Sequence, residues 1–242
     1  MNDAATAALR ELAGGLVVSC QARPDNPFHG PELMARMAEA AVRGGAVGIR
    51  ANGAADIAAI RAAVSVPIIG IAKVTDATGN VTITPTPEAA RSVVASGAQL
   101  VAFDGTPRPR ADNAPVAAIV AAIHDAGGFA LADVATLEGG LFAESCGADA
   151  VGTTLSGYTT DSPRQDEPDF RLLEALVDRC DVPIFAEGRI WTAADAQRAI
   201  ALGASFVVVG TAITNPMAIT ARFAQAVRAA TPLRPTDREA FA

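Results

Sequence analysis

The chain has 242 residues, of which 50% are hydrophobic and 19% are charged, so it holds enough apolar material for one barrel-sized domain or two small ones. A net charge of −7 without a basic cluster argues against nucleic acid or an anionic membrane as a partner, and no run approaches the ~18 apolar residues of a membrane span. Three cysteines without CxxC spacing fit reduced thiols, and two histidines are too few to predict a metal site, so we expect a soluble cytoplasmic protein without a metal centre.

Eight short β-type runs alternate with helical stretches along the chain. Each run is continuously apolar rather than alternating, as expected of parallel strands that are covered on both faces. In chain order the predicted strands are Leu16–Ser19, Val47–Arg50, Pro67–Ala72, Leu100–Phe103, Phe129–Asp133, Ala150–Thr153, Pro183–Ala186 and Phe206–Val209. Eight βα units in this length predict an α/β fold, a single (β/α)8 TIM barrel over residues 1–242 with a polar tail at 231–242.

A repeated Gly-Ala dipeptide supports this count of strands. It occurs at intervals of 50 to 56 residues and begins at Gly45, Gly97, Gly147 and Gly203. Each glycine is suited to the left-handed conformation that ends a helix, and each precedes an even-numbered predicted strand. A doubly wound open sheet is the alternative fold, but it gives no reason for this quarter-barrel spacing.

A single lysine, Lys73, stands beside eighteen arginines in this chain. An ammonium can lose its proton when it is desolvated and then act as a base or nucleophile, whereas a guanidinium stays protonated. Lys73 follows the apolar run at 66–72, where a buried strand is predicted to open into a loop. Barrel chemistry gathers at strand ends, so we predict a catalytic lysine rather than a stray surface residue.

The other predicted strands also end in polar residues or glycine. These ends include Gln21, Arg50, Asp104, Asp133, Thr154, Glu187 and Gly210. A single aspartate after a strand often caps the next helix, and Asp104 or Asp133 has that alternative. A ring of such ends on one face of a barrel favours a binding and catalytic site.

Lys73 and Glu187 follow predicted strands three and seven, on opposite sides of the barrel mouth. A shared pocket with Arg50 would disfavour the charged form of Lys73, which suits a general base. The structural alternative is an ion pair between the lysine and the glutamate. The sequence leaves both interpretations open.

The loops after the last two predicted strands are rich in glycine, with Gly188 and Arg189 in one and Gly210 and Thr211 in the other. Barrel enzymes often bind phosphate at these two loops, because backbone amides there can approach the phosphate oxygens. Asn215 then begins the last helix as its N-cap. We therefore predict a phosphorylated substrate.

Six segments of the chain, at 15–21, 29–32, 44–53, 152–159, 186–190 and 212–214, carry a family likeness. They resemble the N-acetylmannosamine-6-phosphate 2-epimerase family, and the likeness extends from about 14 to 227. The resemblance implies a (β/α)8 enzyme of sialic acid and amino sugar catabolism. Such an enzyme interconverts N-acetylmannosamine 6-phosphate and N-acetylglucosamine 6-phosphate without a metal or organic cofactor, and it is expected to be a homodimer.

The resemblance also implies roles for individual residues. Lys73 and Glu187 match the catalytic pair. Gln21, Arg50 and Asp133 match positions that hold the sugar, and Gly188, Arg189, Gly210 and Arg222 match positions at the phosphate. Thr154 and Thr211 are also expected to bind the substrate. The chain departs from the family pattern at Val74–Ala77, where an Arg-Asp-Tyr-like stretch is usual, at Thr211 in place of a glycine, and at Trp191 in place of a histidine.

These expectations combine into a mechanistic hypothesis. Lys73 removes the C2 proton of the ring-opened sugar, an enolate forms, and a proton returns to the other face. Glu187 would assist ring opening, polarise the carbonyl group or act as a second acid and base, and the sequence does not choose among these roles. The alternatives are a Schiff-base aldolase or lyase that uses Lys73, and a barrel that only binds sugar phosphates.

Overall fold

The computed structural model describes residues 3–75, 81–110 and 113–230. Eight parallel strands in this part of the chain form a closed barrel, in which the first strand pairs with both the second and the last. The predicted (β/α)8 barrel is therefore confirmed, and the open sheet is excluded. The predicted tail at 231–242 lies outside the described residues, and the single-domain organisation of residues 1–242 stays a prediction.

The barrel strands agree with the predicted runs to within one or two residues at each end. They are β1 (Leu16–Cys20), β2 (Gly48–Asn52), β3 (Ile68–Ile71), β6 (Leu100–Asp104), β7 (Phe129–Asp133), β8 (Ala150–Gly152), β9 (Ile184–Glu187) and β10 (Phe206–Val209). A separate two-stranded sheet consists of β4 (Lys73–Thr75) and β5 (Val81–Ile83). Around the barrel the order is β1-β10-β9-β8-β7-β6-β3-β2.

The helices surround the barrel and alternate with its strands. They are α1 (Asp3–Glu11), α2 (Pro31–Arg43), α3 (Ala54–Ala63), α4 (Pro87–Ala95), α5 (Val116–Asp125), α6 (Leu137–Ser145), α7 (Phe170–Arg179), α8 (Ala193–Ala201), α9 (Thr211–Thr214) and α10 (Pro216–Ala229). No described helix has the length and apolar character needed to cross a membrane. The four repeat glycines follow α2, α4, α6 and α8 with φ between 94° and 107°, which confirms that they end these helices in the left-handed region.

Two apolar layers hold the barrel together. The outer layer lies between strands and helices and includes the helix face formed by Val116, Ile119, Val120 and Ile123. The inner layer fills the barrel, where Phe185 and Phe206 stack with ring centroids 5.0 Å apart. The polar strand ends are thereby held on a rigid frame at one mouth of the barrel.

Lys73 does not begin a simple loop, as the sequence had suggested, but begins the β4–β5 hairpin. Thr84 anchors the base of this hairpin, because its backbone N donates to the Ala72 carbonyl (2.7 Å) and its hydroxyl donates to the Ala102 carbonyl (2.6 Å). The three residues of β4 are exposed, so no buried apolar pattern marks this strand in the sequence. Lys73 is thus held at a fixed point by the strand pairing.

The last helix, α10, differs from the others because none of its residues is buried. Its Phe223 and Val227 side chains are 70% and 73% exposed. The helix leaves uncovered a groove of about 470 Å³ beside the outer face of β10. Leu16, Ile200, Val207 and Val209 are among the residues that line this groove. The barrel therefore presents an apolar groove at the place where a helix after the eighth strand would normally pack.

Candidate active site

A buried arginine is the centre of the polar cluster at the mouth. Arg50, at 1% exposure, donates from Nη1 and Nη2 to the two carboxylate oxygens of Asp133, at 3.0 and 2.5 Å. Its Nη1 also donates to Glu187 Oε2 at 2.6 Å. Burial alone would lower the pKa of Arg50, but the charges of Asp133 and Glu187 outweigh it and raise the pKa. Arg50 is thus a fixed positive charge that orients both carboxylates.

The pKa of Glu187 is raised. Burial is the largest cause, the Arg50 charge opposes it, and the Asp133 charge adds to it. One arginine faces two carboxylates here, so ionising both would leave one buried negative charge in excess. Glu187 therefore holds a proton more readily than an ordinary glutamate does.

Lys73 meets this cluster from β4 on the same mouth. Its backbone N donates to Asn52 Oδ1 (2.8 Å), at the end of β2. The surrounding protein desolvates the amino group and lowers the pKa of Lys73, and the Arg50 charge lowers it further while Glu187 opposes the shift. The residue is exposed, so solvent weakens this effect, but both larger causes act in the direction that favours a free amine.

The ion pair considered between Lys73 and Glu187 does not form among the described residues. Glu187 pairs instead with Arg50. The lysine and the glutamate interact through their charges at longer range. A lysine without a carboxylate partner within ion-pair distance in the described structure is better suited to act as a base than one that is locked in a salt bridge.

Gln21 directly follows β1, the strand that pairs with β2 in the barrel. Its Nε2 donates to Ser19 Oγ at 2.7 Å, and its Oε1 is buried with no hydrogen-bond partner within the described structure. A buried acceptor without a partner is unfavourable unless a donor arrives. This geometry suits an acceptor for a substrate N–H or O–H group.

The two threonines after β8 approach Glu187 in different ways. Thr153 exchanges hydrogen bonds with the backbone of Glu187, donating to its carbonyl (2.9 Å) and accepting from its N–H (3.1 Å). The Thr154 hydroxyl lies 2.5 Å from Asp133 Oδ1 and 3.2 Å from Glu187 Oε2. Arg50, Asp133, Thr154 and Glu187 therefore form one hydrogen-bonded cluster, which we call the mouth cluster.

Asp104 ends β6 but does not join the mouth cluster. Its carboxylate accepts from the N–H (3.0 Å) and hydroxyl (2.5 Å) of Thr106, and it forms an ion pair with Arg108. Asp104 therefore shapes its own loop and does not cap the following helix, whose N-cap is Pro115, so the capping alternative is wrong for Asp104. Asp133, for which the same alternative was open, instead pairs with Arg50.

The loop after β9 has a special backbone conformation at two positions. Gly188 and Arg189 have φ of 114° and 57°, and only glycine adopts the first without strain. The Arg189 side chain donates to the carbonyls of Glu167 (2.8 Å) and Ser156 (2.6 Å), and its guanidinium lies 5.2 Å from the Tyr158 ring centroid. Arg189 thereby links this loop to the one after β8.

The loop after β10 leads directly into the short helix α9. Gly210 lies so close to β1 that an added Cβ would be 3.3 Å from the Ser19 Cβ, and Thr211 is the first residue of α9. Asn215 caps α10 by accepting from the Ala218 N–H at 3.1 Å, as predicted. Arg222 lies on the exposed helix α10, with its guanidinium 4.6 Å from the Trp191 ring centroid.

Comparison with known proteins places this site in a family. The family model described as "Putative N-acetylmannosamine-6-phosphate epimerase" matches residues 34–229 of the chain. A Cutibacterium acnes protein described as a putative N-acetylmannosamine-6-phosphate 2-epimerase is 48% identical over 223 residues, which cover 91% of this chain and 96% of that protein. The chain belongs to the N-acetylmannosamine-6-phosphate epimerase family. A relative of the same description from Caldanaerobacter subterraneus is 46% identical and covers 89% of the chain.

A solved structure of this family has the same fold. The N-acetylmannosamine-6-phosphate 2-epimerase from Clostridium perfringens superposes with a TM-score of 0.87 at 43% identity, covering 90% of this chain and 95% of that one. The thiamine phosphate pyrophosphorylase of Pyrococcus furiosus, at 17% identity and a TM-score of 0.58, shares the fold alone. The chain is therefore an enzyme of the epimerase family built on a barrel that other enzymes also use.

Proposed function

We propose that this chain interconverts N-acetylmannosamine 6-phosphate and N-acetylglucosamine 6-phosphate, which differ only in configuration at C2. The observation that carries the proposal is Lys73, a solitary lysine of lowered pKa beside the mouth cluster. Family membership supports the same reaction, because curated relatives that span nearly the whole chain are described as epimerases of this substrate.

Lys73 serves as the base in this proposal. In the ring-opened sugar the C2 proton is acidified by the neighbouring aldehyde, and an amine of lowered pKa removes it. The substituents at C2 become planar in the enolate, and protonation from the other face gives the epimer. The pairing of β4 with β5 supports the base by holding Lys73 in one place.

Glu187 serves as the acid. Its raised pKa favours the protonated carboxyl, which donates a hydrogen bond to the carbonyl oxygen of the open sugar as negative charge develops there. Arg50 remains charged beside it and stabilises the same negative charge through the field at the mouth. Of the three roles considered for Glu187, carbonyl polarisation is the one this environment favours.

Binding of the sugar phosphate uses the remaining strand ends. Gln21 accepts a hydrogen bond from the sugar through its unpartnered Oε1. The phosphate lies at the loops after β9 and β10, where the amides of Thr211 and Ala212 begin α9 and suit an anion, whereas those of Ile213 and Thr214 already donate to the Gly210 carbonyl. The left-handed Gly188 supports this assignment, since it lets the backbone turn at the mouth. The resemblance includes Arg189 and Arg222 in the phosphate site, and Thr211 is included by its place in the loop after β10.

Proton transfer beside an aldehyde requires a base and an acid, so we infer that the reaction proceeds without a metal or organic cofactor. Activity retained after dialysis against a strong chelator is the expected result. The described cysteines are free thiols, which supports a cytoplasmic location.

Proton NMR of the purified protein with N-acetylmannosamine 6-phosphate in D₂O tests the proposed reaction. We expect N-acetylglucosamine 6-phosphate to appear with deuterium at C2, because the abstracted proton exchanges with solvent. Epimerisation that retains the original hydrogen in every product molecule would contradict a solvent-exchanging base. Release of a smaller carbonyl fragment, trapped on Lys73 by borohydride, would show a Schiff-base aldolase instead.

We also propose that two copies of the chain form a homodimer by exchanging α10. A single copy leaves two apolar surfaces open, namely the groove beside β10 and the α10 face formed by the half-buried Ile219 and the exposed Phe223 and Val227. These three residues recur every four positions, so they lie along one side of the helix. Burying Phe223 and Val227 would stabilise the protein by about 1.5–3 kcal/mol each.

The exchanged helix is the occupant that fits this groove. In a barrel the helix after the eighth strand covers that strand and the first, and α10 holds this position in the sequence. Because none of the residues of α10 is buried in its own chain, the equivalent helix of a second copy is the matching partner. Exchange makes the contact self-complementary, so it closes at two copies.

Light scattering coupled to size-exclusion chromatography measures the assembly. We expect a mass of twice the 24.5 kDa chain, and the Phe223→Asp/Val227→Asp variant should be a monomer. The matched control, Ala221→Asp/Gln225→Asp, adds the same charge to another side of α10 and should remain a dimer. A monomeric unsubstituted protein would contradict the exchange.

A further inference from the structure

Thr84 has a backbone conformation that is rare for its residue type. Its φ is 46°, in the left-handed region that favours glycine, although its side chain is β-branched and fully buried. Pro85 follows it, and the residue before a proline favours an extended conformation with negative φ. Such strain persists only where the surrounding structure holds a residue in place, and it is common at functional sites.

The strands β3 and β6, which Thr84 contacts, separate before they reach the mouth. Their last paired residues are Gly70 and Val101, although β6 continues further. The Ile71 carbonyl accepts a hydrogen bond from the residue after β2, so the backbone groups of its neighbours Gly70 and Ala72 point towards β6. If the pairing continued in the same register, the Ala72 N–H would therefore donate to the Ala102 carbonyl.

In the described structure the Thr84 hydroxyl takes the place of this direct bond. It accepts from the Ala72 N–H (3.1 Å) and donates to the Ala102 carbonyl (2.6 Å). A hydroxyl can do both at once, because it has one proton and two lone pairs. The Thr84 N–H also donates to the Ala72 carbonyl at 2.7 Å. Thr84 therefore lies between β3 and β6 and satisfies both backbone groups of Ala72.

We propose that Thr84 is a positioning residue that directs the chain after Ala72 over the mouth and so sets the place of the Lys73 amine. This role rests on the proposed function of Lys73 as a base. The β4–β5 pairing fixes Lys73 within the hairpin, whereas Thr84 fixes the hairpin to the barrel.

Loss of the Thr84 hydroxyl would change the path of the chain at this point. The Ala72 N–H and the Ala102 carbonyl would each lose a partner, or β3 and β6 would close on each other to restore the direct bond. Lys73 follows Ala72 directly, and its amine lies within range of the charges of the mouth cluster. Either change would therefore move the amine relative to that cluster.

The single lysine of the chain allows a direct measurement of this role. Labelling with ¹³Cε-lysine gives one lysine signal in the NMR spectrum of the substrate-free protein, and its titration reports the pKa of Lys73. Thr84→Val keeps the shape of the side chain and removes the hydroxyl. We expect the pKa of Lys73 to rise by about half a unit or more, about a threefold change in its protonation equilibrium, because the amine leaves the protein surroundings that desolvate it. Thr84→Ser keeps the hydroxyl and should keep the pKa.

Thr82, on the same hairpin, provides the matched control. Thr82→Val removes a hydroxyl that lies 3.4 Å from the Val74 carbonyl, within the hairpin itself, so the pKa of Lys73 should stay as in the parent protein. Thr84→Gly is a second test if Thr84→Val does not fold, because glycine adopts positive φ without strain but also lacks the hydroxyl. The same rise in the pKa of Lys73 is expected. An unchanged or lowered pKa in either folded variant would overturn the proposal.

Kinetics separate this proposal from the proposed reaction. In the D₂O assay, kcat of Thr84→Val should fall about tenfold or more while KM changes less than about twofold, because the base is displaced and the substrate-binding residues are not. A lower Tm with kcat and the pKa of Lys73 as in the parent protein would show a purely structural role and overturn the proposal. If the unsubstituted protein does not epimerise its substrate, the proposed reaction fails, but the titration still decides whether Thr84 positions Lys73.

Discussion

Replacing Arg50 with methionine tests the charge balance of the mouth cluster. Arg50 makes three hydrogen bonds to Asp133 and Glu187 and is 1% exposed, so Arg50→Met leaves two carboxylates at a buried site without their cation. Breaking a buried ion pair by removing one partner costs about 3–5 kcal/mol. For a domain of this size each kcal/mol shifts Tm by about 2–4 °C, so a loss of about 10 °C is expected near pH 8.

The loss of Tm in Arg50→Met should depend on pH, and the direction of this dependence follows from the carboxyl pKa. Burial raises the pKa of Glu187 above its value in the unfolded chain and the Arg50 charge opposes this, so removing Arg50 raises that pKa further. A raised folded-state pKa means that the folded state binds protons more tightly, so the variant gains stability as the pH falls. The difference in Tm between Arg50→Met and the parent protein should therefore shrink between about pH 8 and pH 5.

Thermal unfolding followed by circular dichroism at the two pH values measures both effects. Arg61→Met is the matched control, because the Arg61 guanidinium donates to the backbone carbonyls of Val64 and Val66 and leaves no carboxylate behind. Its Tm loss should be the same at both pH values. An Arg50→Met protein as stable as the parent near pH 8, or a difference that grows on acidification, would refute the reasoning.

Three further predictions concern the base, the barrel interior and a thiol. Lys73→Arg should lose at least about 10³-fold in turnover in the D₂O assay, because a guanidinium keeps its proton, and an active variant would exclude Lys73 as the base. Gly152→Ala should lower the free energy of unfolding by about 1–3 kcal/mol in urea titrations, since an added Cβ would lie 2.1 Å from Phe185 Cε2; a neutral result would mean that Phe185 shifts freely. Burial raises the pKa of Cys20 to about 12, so iodoacetamide near pH 8 should leave Cys20 unmodified in the folded protein, and mass spectrometry would detect any modification.

Much of the fold could be predicted from local features of the sequence. The continuous apolar runs mark all eight barrel strands, and β7 and β10 have the predicted ends. The Gly-Ala pairs mark helix ends because a left-handed residue is a local requirement of the chain. Strands and helix ends that are determined by residues close together in sequence can be predicted without knowledge of the tertiary structure.

The hairpin and the exposure of α10 were missed for the opposite reason. The exposed strand β4 is defined by its pairing with β5, and its sequence has no buried face to show. The Phe223 side of α10 has the spacing of an ordinary amphipathic helix, so nothing local indicates that it points away from its own barrel. The placement of β4 and of α10 depends on where parts of the chain that are distant in sequence lie in the fold.

The candidate site divides in the same way into residues that the local sequence predicts and contacts that depend on the tertiary structure. Gln21, Arg50, Lys73, Asp133 and Glu187 were predicted from their places at strand ends. The direct bond from Arg50 to Glu187 was not predicted, because it depends on how deeply each side chain lies in the mouth. Asn52 and Thr153, which hold the backbones of Lys73 and Glu187, carried no signal beyond following a strand.

The mouth cluster also constrains how the chain is made. Arg50 is separated by 83 residues from Asp133 and by 137 from Glu187. A ribosome adding about 5–20 residues per second needs about 7–27 s to supply the last of these partners. Until Asp133 is made the guanidinium has no carboxylate partner at the mouth, so we expect Arg50 to stay in water and the first barrel strands to remain open over it.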